Sequence, residues 1–321
     1  RSRWPRGRVL GGSSVLNYML YVRGNKKDYD NWERLGAKGW SWKNVLPYFL
    51  KSEDNRDPPL VESGYHATGG YLTVSTPPYA TPLAKNYIEA GLAIGYPNID
   101  INGPKQGGWM IPQGTIRRGA RCSTSKAFLV PTRGRKNLDI VVFAHATKIL
   151  FDAHKRARAV QFDRLKITNV VHARKEIILS AGAINSPQLL MLSGIGPKHH
   201  LQKLGIPVIS DLPVGYNLQD HIYPGGIHIL INQPVSILQP RIINLKDINN
   251  FILFGRGPFT TLGGVETLGF IHTKYENASN DYPDVEIHFV SGSPVSDGGQ
   301  TFQRVMGVSQ EVSRKLKTWA F

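Results

Sequence analysis

The sequence predicts a mixed α/β chain (α/β with α+β character), and three observations carry that reading. Helical and two-residue hydrophobic periods alternate along the chain. Period-two segments crowd between residues 137 and 173, as in an antiparallel meander. An apolar stretch, Glu176–Ser180, then runs straight into Ala181-Gly182-Ala183 and a helical pattern, the strand–turn–helix layout at which open α/β sheets bind ligands. At ~150 residues per domain, a chain of 321 suggests about two domains.

In order, Asp28–Leu35 reads as a short helix stopped by Gly36, and Ser41 as the N-cap of the next, through Val45, Leu46 and Phe49. The prolines and glycines of residues 53–70 predict a surface loop. Thr81-Pro82 opens an amphipathic helix that Gly95 ends, and residues 97–120 read as irregular. Strands are expected at Leu138–Ala144, Ala146–Phe151, Arg158–Asp163 and Thr168–Ala173, with His154-Lys155-Arg156 at a turn. Glu176–Ser180 reads as a further, buried strand. Ser186-Pro187 is expected to start a helix, and Pro197–Leu204 a second one ended by Gly205. Beyond His221 the texture shifts, with strands expected at Ile227–Ile231, Gly269–His272 and Val285–Val290, so a domain boundary is placed near residue 222.

Composition narrows the function. Hydrophobic residues at 41% and charged residues at 19% describe a globular chain rather than a disordered one. The single cysteine, Cys122, excludes a disulfide framework or a cysteine-rich metal cluster, and no metal is expected. No apolar run approaches the ~20 residues of a membrane span. The net charge of +16 is spread over many turns, without a dense basic stripe or interleaved aromatics. It reads as a solvated basic surface, not a nucleic-acid interface.

Three segments carry chemistry. In Gly7-Arg8-Val9-Leu10-Gly11-Gly12-Ser13-Ser14-Val15-Leu16-Asn17, two adjacent glycines admit a bulky anion close to the backbone, ahead of an apolar helical run. A plain Gly-Gly turn before a core helix reads the same way, and no Lys-Ser/Thr follows to make a Walker loop. In Ser180–Gly196, small residues at a strand exit leave room for a cofactor, although tight helix packing selects them too. Asp220-His221 invites an acid/base reading. A structural role is favoured, because no local motif supplies a nucleophile.

Taken together, their order and spelling resemble the GMC (glucose–methanol–choline) oxidoreductases, FAD-dependent alcohol dehydrogenases and oxidases. Gly7–Asp30 is similar to that family's first signature and Gly182–Gly196 to its second. Pro213–His221 resembles a later segment of its FAD-binding domain, and Arg121–Leu129 with Pro131 also has the family's look. Asn17–Gly24 and residues 288–294 resemble insect glucose-dehydrogenase-like members. The resemblance implies that Gly11, Gly12 and Ser13 line the FAD pyrophosphate with Arg8 close by. Asn17 would sit near the flavin ring, and Ala146, in a strand pair at Asn137–Phe151, would read the adenine. Ala181 and Gly182 would flank the ribose and phosphates, and Asp220 and His221 would support the flavin region. The Gly-Gly turn and the later strand exit are expected side by side on one diphosphate. Some members attach flavin through a His directly before the Asn; Leu16 stands there, so non-covalent FAD is expected.

On this reading residues 1–221 form an FAD-binding domain lacking its N-terminal βαβ unit, and residues 222–321 begin a truncated substrate-binding domain. The chain opens on Arg1, contains no strand–Gly-x-Gly-x-x-Gly–helix unit, and lacks the context of the family's catalytic His. It is therefore expected to be a portion of a longer protein and inactive alone. The partners implied are an alcohol or sugar substrate and a quinone-type or oxygen acceptor. The alternative is a flavin-binding or interaction protein that keeps the scaffold without turnover. The sequon Asn277-Ala278-Ser279 accords with a secreted protein.

Overall fold

The computed structural model describes residues 4–224, 227–293, 296–299, 304, 309–311 and 314. The chain divides into two compact units, Arg1–Arg135 with His228–Phe321, and Lys136–Ile227.

In the first unit the Lys26–Arg34 helix forms because both ends of a capping box are present. The Asn25 side chain accepts from Lys27 N–H, and Asp28 accepts from Asn25 N–H. The Trp42–Ser52 helix packs beside it through Tyr29, Trp42 and Phe49, whose rings lie 5.6 Å (Tyr29–Trp42) and 6.1 Å (Trp42–Phe49) apart. Pro82 opens the Pro82–Ala93 helix, as expected. The Glu266 carboxylate stands at its N-terminus and accepts from both the backbone N–H and the hydroxyl of Thr81, where the helix dipole favours negative charge.

That helix covers an antiparallel sheet in which Val265–Ile271 is central, flanked by Val285–Val290 and Gly108–Met110. The sheet carries the hydrophobic core of Ile101, Met110, Val265, Leu268 and Phe270. The Trp109 ring lies between two glycines: a Cβ at Gly91 would come within 2.3 Å of it, and one at Gly269 within 2.1 Å. Only glycine lets both backbones approach that closely.

Residues 53–70, expected as a surface loop, are built otherwise. Glu53–Asn55 is a fully buried strand paired in parallel with Leu72–Val74, and Pro58–Val61 is helical. Its polar side chains tolerate burial because they satisfy one another. The Arg23 guanidinium donates to Glu53 Oε2 at 2.8 Å, and the ring of His66 bridges Glu53 Oε1 and Asp100 Oδ2, each at 2.9 Å. Asn55 joins Glu53, His66 and Gln113, while Phe49 and Tyr21 lie against the guanidinium. A guanidinium, an imidazole and two carboxylates close on themselves, with Asp100 alone partly exposed.

Burial, the largest single influence on His66, opposes its protonation. The hydrogen bonds and charges of Asp100 and Glu53 outweigh it and raise the imidazole above 6.5. A group whose folded value is raised contributes stability that is complete below the unfolded value and fades as pH rises through the folded one. Unfolding titrations should therefore show this contribution intact below pH 6.5 and lost on the alkaline side. His66→Gln should flatten that limb; an unchanged slope would refute the assignment.

The second unit holds the expected meander, Ala144–Phe151, Ala157–Arg164 and Ile167–His172, turning at the left-handed Lys155. Leu138–Ala144 is not a strand: residues 138–143 are irregular, and Phe143 takes a left-handed φ of 56°, which breaks any ladder. Nor is Glu176–Ser180 a buried strand. It is irregular, unpaired and largely exposed, with Ile178 79% accessible, because no strand lies beside it among the described residues. Ile227–Ile231 likewise forms no strand, for the same reason.

The helix expected from Ser186-Pro187 starts a turn earlier and spans Gly182–Leu192, with Pro187 inside it. Gly182, at φ 89°, turns the chain into the helix, and the Ser186 hydroxyl accepts from Ala181 N–H at 3.0 Å. Pro187 costs the helix one backbone donor. Ser193 then docks the helix on the meander, accepting from Ile149 N–H at 2.8 Å. The Lys198–Lys203 helix and the short parallel pair Ile195–Gly196 with Ser210–Asp211 complete the unit.

Candidate functional site

In the first unit, Gly11 and Gly12 both take left-handed backbones, φ 93° and 54°, and feed a 3₁₀ turn at Gly12–Val15. One side of this turn is closed. A Cβ on Gly7 would stand 2.1 Å from Gly12 O, and Ser13 Oγ accepts from Gly7 N–H at 3.1 Å. The other side is open, since a Cβ on Gly12 would meet nothing within 4 Å. Arg8 is exposed next to it in the chain.

A second strip of chain, Arg121–Ser125, sets the shape of the turn. Ser14 Oγ donates to Gly11 O at 2.5 Å and accepts from Thr124 N–H at 3.0 Å, while Thr124 Oγ1 donates to Gly11 O at 3.1 Å. Arg121 Nη1 donates to Ser14 O at 3.1 Å and to Asn17 Oδ1 at 2.8 Å. Asn17 Oδ1 also accepts from Met19 N–H at 3.0 Å. Sequence reasoning singled out Gly11, Gly12, Ser13 and Asn17 but gave Arg121 and Thr124 no role. The only local signal was the unusual wording of Arg121–Leu129.

In the second unit, Ala146 lies on the Ala144–Phe151 strand opposite Phe162, beside a bulge before Lys148. Its hairpin partner is therefore Ala157–Arg164, not a strand within Asn137–Phe151, because residues 138–143 are irregular. Ala181 and Gly182 sit at the start of the helix that packs on that meander. Gly182 has a left-handed backbone, and a Cβ there would also meet nothing within 4 Å. Asp220 and His221 are exposed, and the bond between them runs from His221 backbone N–H to Asp220 Oδ1 at 2.8 Å. That is a local turn contact and not an imidazole–carboxylate dyad. Among the described residues, no group of three or more His, Cys, Asp or Glu is arranged to hold a metal ion.

Open left-handed glycine turns, one cross-braced by serine and threonine hydroxyls, are backbone that an anionic nucleotide moiety can approach. The class they belong to is set by comparison: residues 1–223 match the GMC oxidoreductase family, and the chain belongs to it. It is 41% identical over 292 residues to glucose dehydrogenase (FAD, quinone) of Drosophila melanogaster, covering 90% of this chain and 46% of that protein. Human mitochondrial choline dehydrogenase is 40% identical over 305 residues, covering 92% and 49% respectively. Among solved structures, an Aspergillus oryzae formate oxidase variant superposes with a TM-score of 0.75 at 27% identity, covering 91% of this chain and 55% of that one. The chain spans about half the length of the curated relatives it matches. No helix among the described residues is long and apolar enough to cross a membrane.

Proposed function

We propose that this chain is the FAD-binding portion, with the beginning of the substrate-binding portion, of an oxidoreductase acting on the CH–OH groups of alcohols or sugars. The observation that carries the reading is the family match over residues 1–223, which contains the open turn at Gly11-Gly12. The similarity to glucose dehydrogenase favours a sugar hydroxyl as donor, and the quinone acceptor of that relative favours a quinone here. Oxygen-dependent relatives make oxygen the alternative acceptor. Residues 1–221 are assigned to the cofactor and residues 222–321 to the start of the substrate domain.

Bound FAD would supply the hydride acceptor, its N5. The chain's own residues would bind and orient it. Gly11, Gly12 and Ser13 would line the diphosphate, which the missing Cβ of Gly12 would let come close to the backbone, with the Arg8 guanidinium adding positive charge. Asn17 would lie beside the ring. Ala146 would offer backbone groups to adenine, Ala181 and Gly182 would pack on ribose and phosphate, and Asp220 and His221 would support the flavin end. Leu16 offers no nucleophile, so attachment would be non-covalent.

The test is the visible absorption spectrum of the full-length protein purified with FAD. A flavin band that denaturation releases is expected. Gly12→Asp, which sets a carboxylate where the diphosphate would lie and strains a left-handed backbone, should cut bound flavin at least tenfold. Absence of flavin from the unmodified protein would overturn the reading.

A further inference from the structure

We propose that Arg121 is a positioning residue, its guanidinium fixing the Asn17 carboxamide so that Nδ2, and not Oδ1, faces the flavin ring. The inference rests on the reading that places Asn17 beside that ring. The geometry comes from two donors converging on one oxygen: Asn17 Oδ1 accepts from Arg121 Nη1 at 2.8 Å and from Met19 N–H at 3.0 Å. A carboxamide oxygen has two lone pairs, and both are used. The hydrogen-bonding capacity left to Asn17 is the pair of hydrogens on Nδ2. Turning the amide over would set its N–H groups against a backbone donor and a fixed positive charge, losing a charge-assisted bond and gaining two repulsions.

Arg121 is itself held, since the same Nη1 donates to Ser14 O at 3.1 Å and Lys126 Nζ lies 3.5 Å from its carbonyl. Met19 reaches its place through a left-handed backbone, φ 65°. The orientation of one amide is thus set by a residue 104 positions further along the chain. An N–H donor beside the ring stabilises its electron-rich reduced form, whereas an oxygen lone pair there would disfavour it.

A structural staple acting only through Ser14 would hold flavin without tuning it, so the readout is the midpoint potential of the bound flavin in the full-length holoprotein, with the rate of its reduction. Arg121→Ala should lower the potential and slow reduction about tenfold, and Arg121→Lys should restore part of both. Asn17→Ala should lower the potential too, and Arg121→Ala added to it should do nothing more, because Arg121 acts through Asn17. Should Arg121→Ala shed its flavin, the same cycle is run with Arg121→Met, which keeps the bulk and removes the donor. An unchanged potential in a flavin-bound Arg121 variant, or an equal shift in the Asn17→Ala background, would overturn the inference alone. If Asn17→Ala leaves the potential untouched, or the unmodified protein holds no flavin, the placement of Asn17 fails with it.

Discussion

Glu53→Ala is expected to unfold the first compact unit under conditions in which the unmodified protein is stable. The carboxylate has no solvent-accessible surface and holds the Arg23 guanidinium at 2.8 Å and the His66 ring at 2.9 Å at once. It also accepts from Ala67 N–H at 3.1 Å and Asn55 Nδ2 at 3.1 Å. Removing it strands a buried guanidinium without the carboxylate that balances its charge and leaves the Ala67 backbone donor unmet. Breaking a buried ion pair from one side costs ~3–5 kcal/mol, a large share of the ~5–15 kcal/mol by which domains are stable. Glu53→Gln keeps the shape and one acceptor, so it should fall between. Urea unfolding followed by circular dichroism would measure all three; a loss below ~1 kcal/mol for the alanine variant would contradict the account.

Gly269→Ala should be the second most damaging of the changes considered. Its Cβ would lie 2.1 Å from the Trp109 ring, which is 3% exposed and cannot retreat, because Gly91 backs its other side. Tyr87 stands edge-on to the same ring at 5.3 Å. Overpacking of this kind costs ~1–3 kcal/mol. The mechanism is steric and specific to one ring, so it makes a sharper claim: in a Trp109→Leu background the added methyl should cost much less. Equal penalties in both backgrounds would show that the strain lies elsewhere.

What was legible in the sequence follows from how local each cause is. The helices at 26–34 and 82–93 and the meander were readable because caps, prolines and period-two alternation act within a few residues. Glu53–Asn55 was not, because charged residues read as solvated unless their partners are known. Those partners, Arg23, His66 and Gln113, lie outside the strand itself, 11 to 58 residues away in the sequence. Glu176–Ser180 failed in the opposite sense: an apolar run describes what a strand would bury, but pairing makes the strand. The candidate site divides likewise. The glycines of 11–12 and 182 declare themselves through conformational freedom, while Arg121 and Thr124 act at a distance that no local motif records.

The cross-brace on the Gly-Gly turn also bears on how the protein is made. Ser14 pairs with Thr124 across 110 residues, and Gly11 O receives Thr124 Oγ1 across 113. During synthesis the glycines leave the ribosome long before the residues that shape them, so the turn stays an unformed loop while most of its unit is translated. On the proposed reading, nucleotide capture at this turn would have to wait for Thr124 to be made, and a nascent chain halted before it would offer the glycines without their brace.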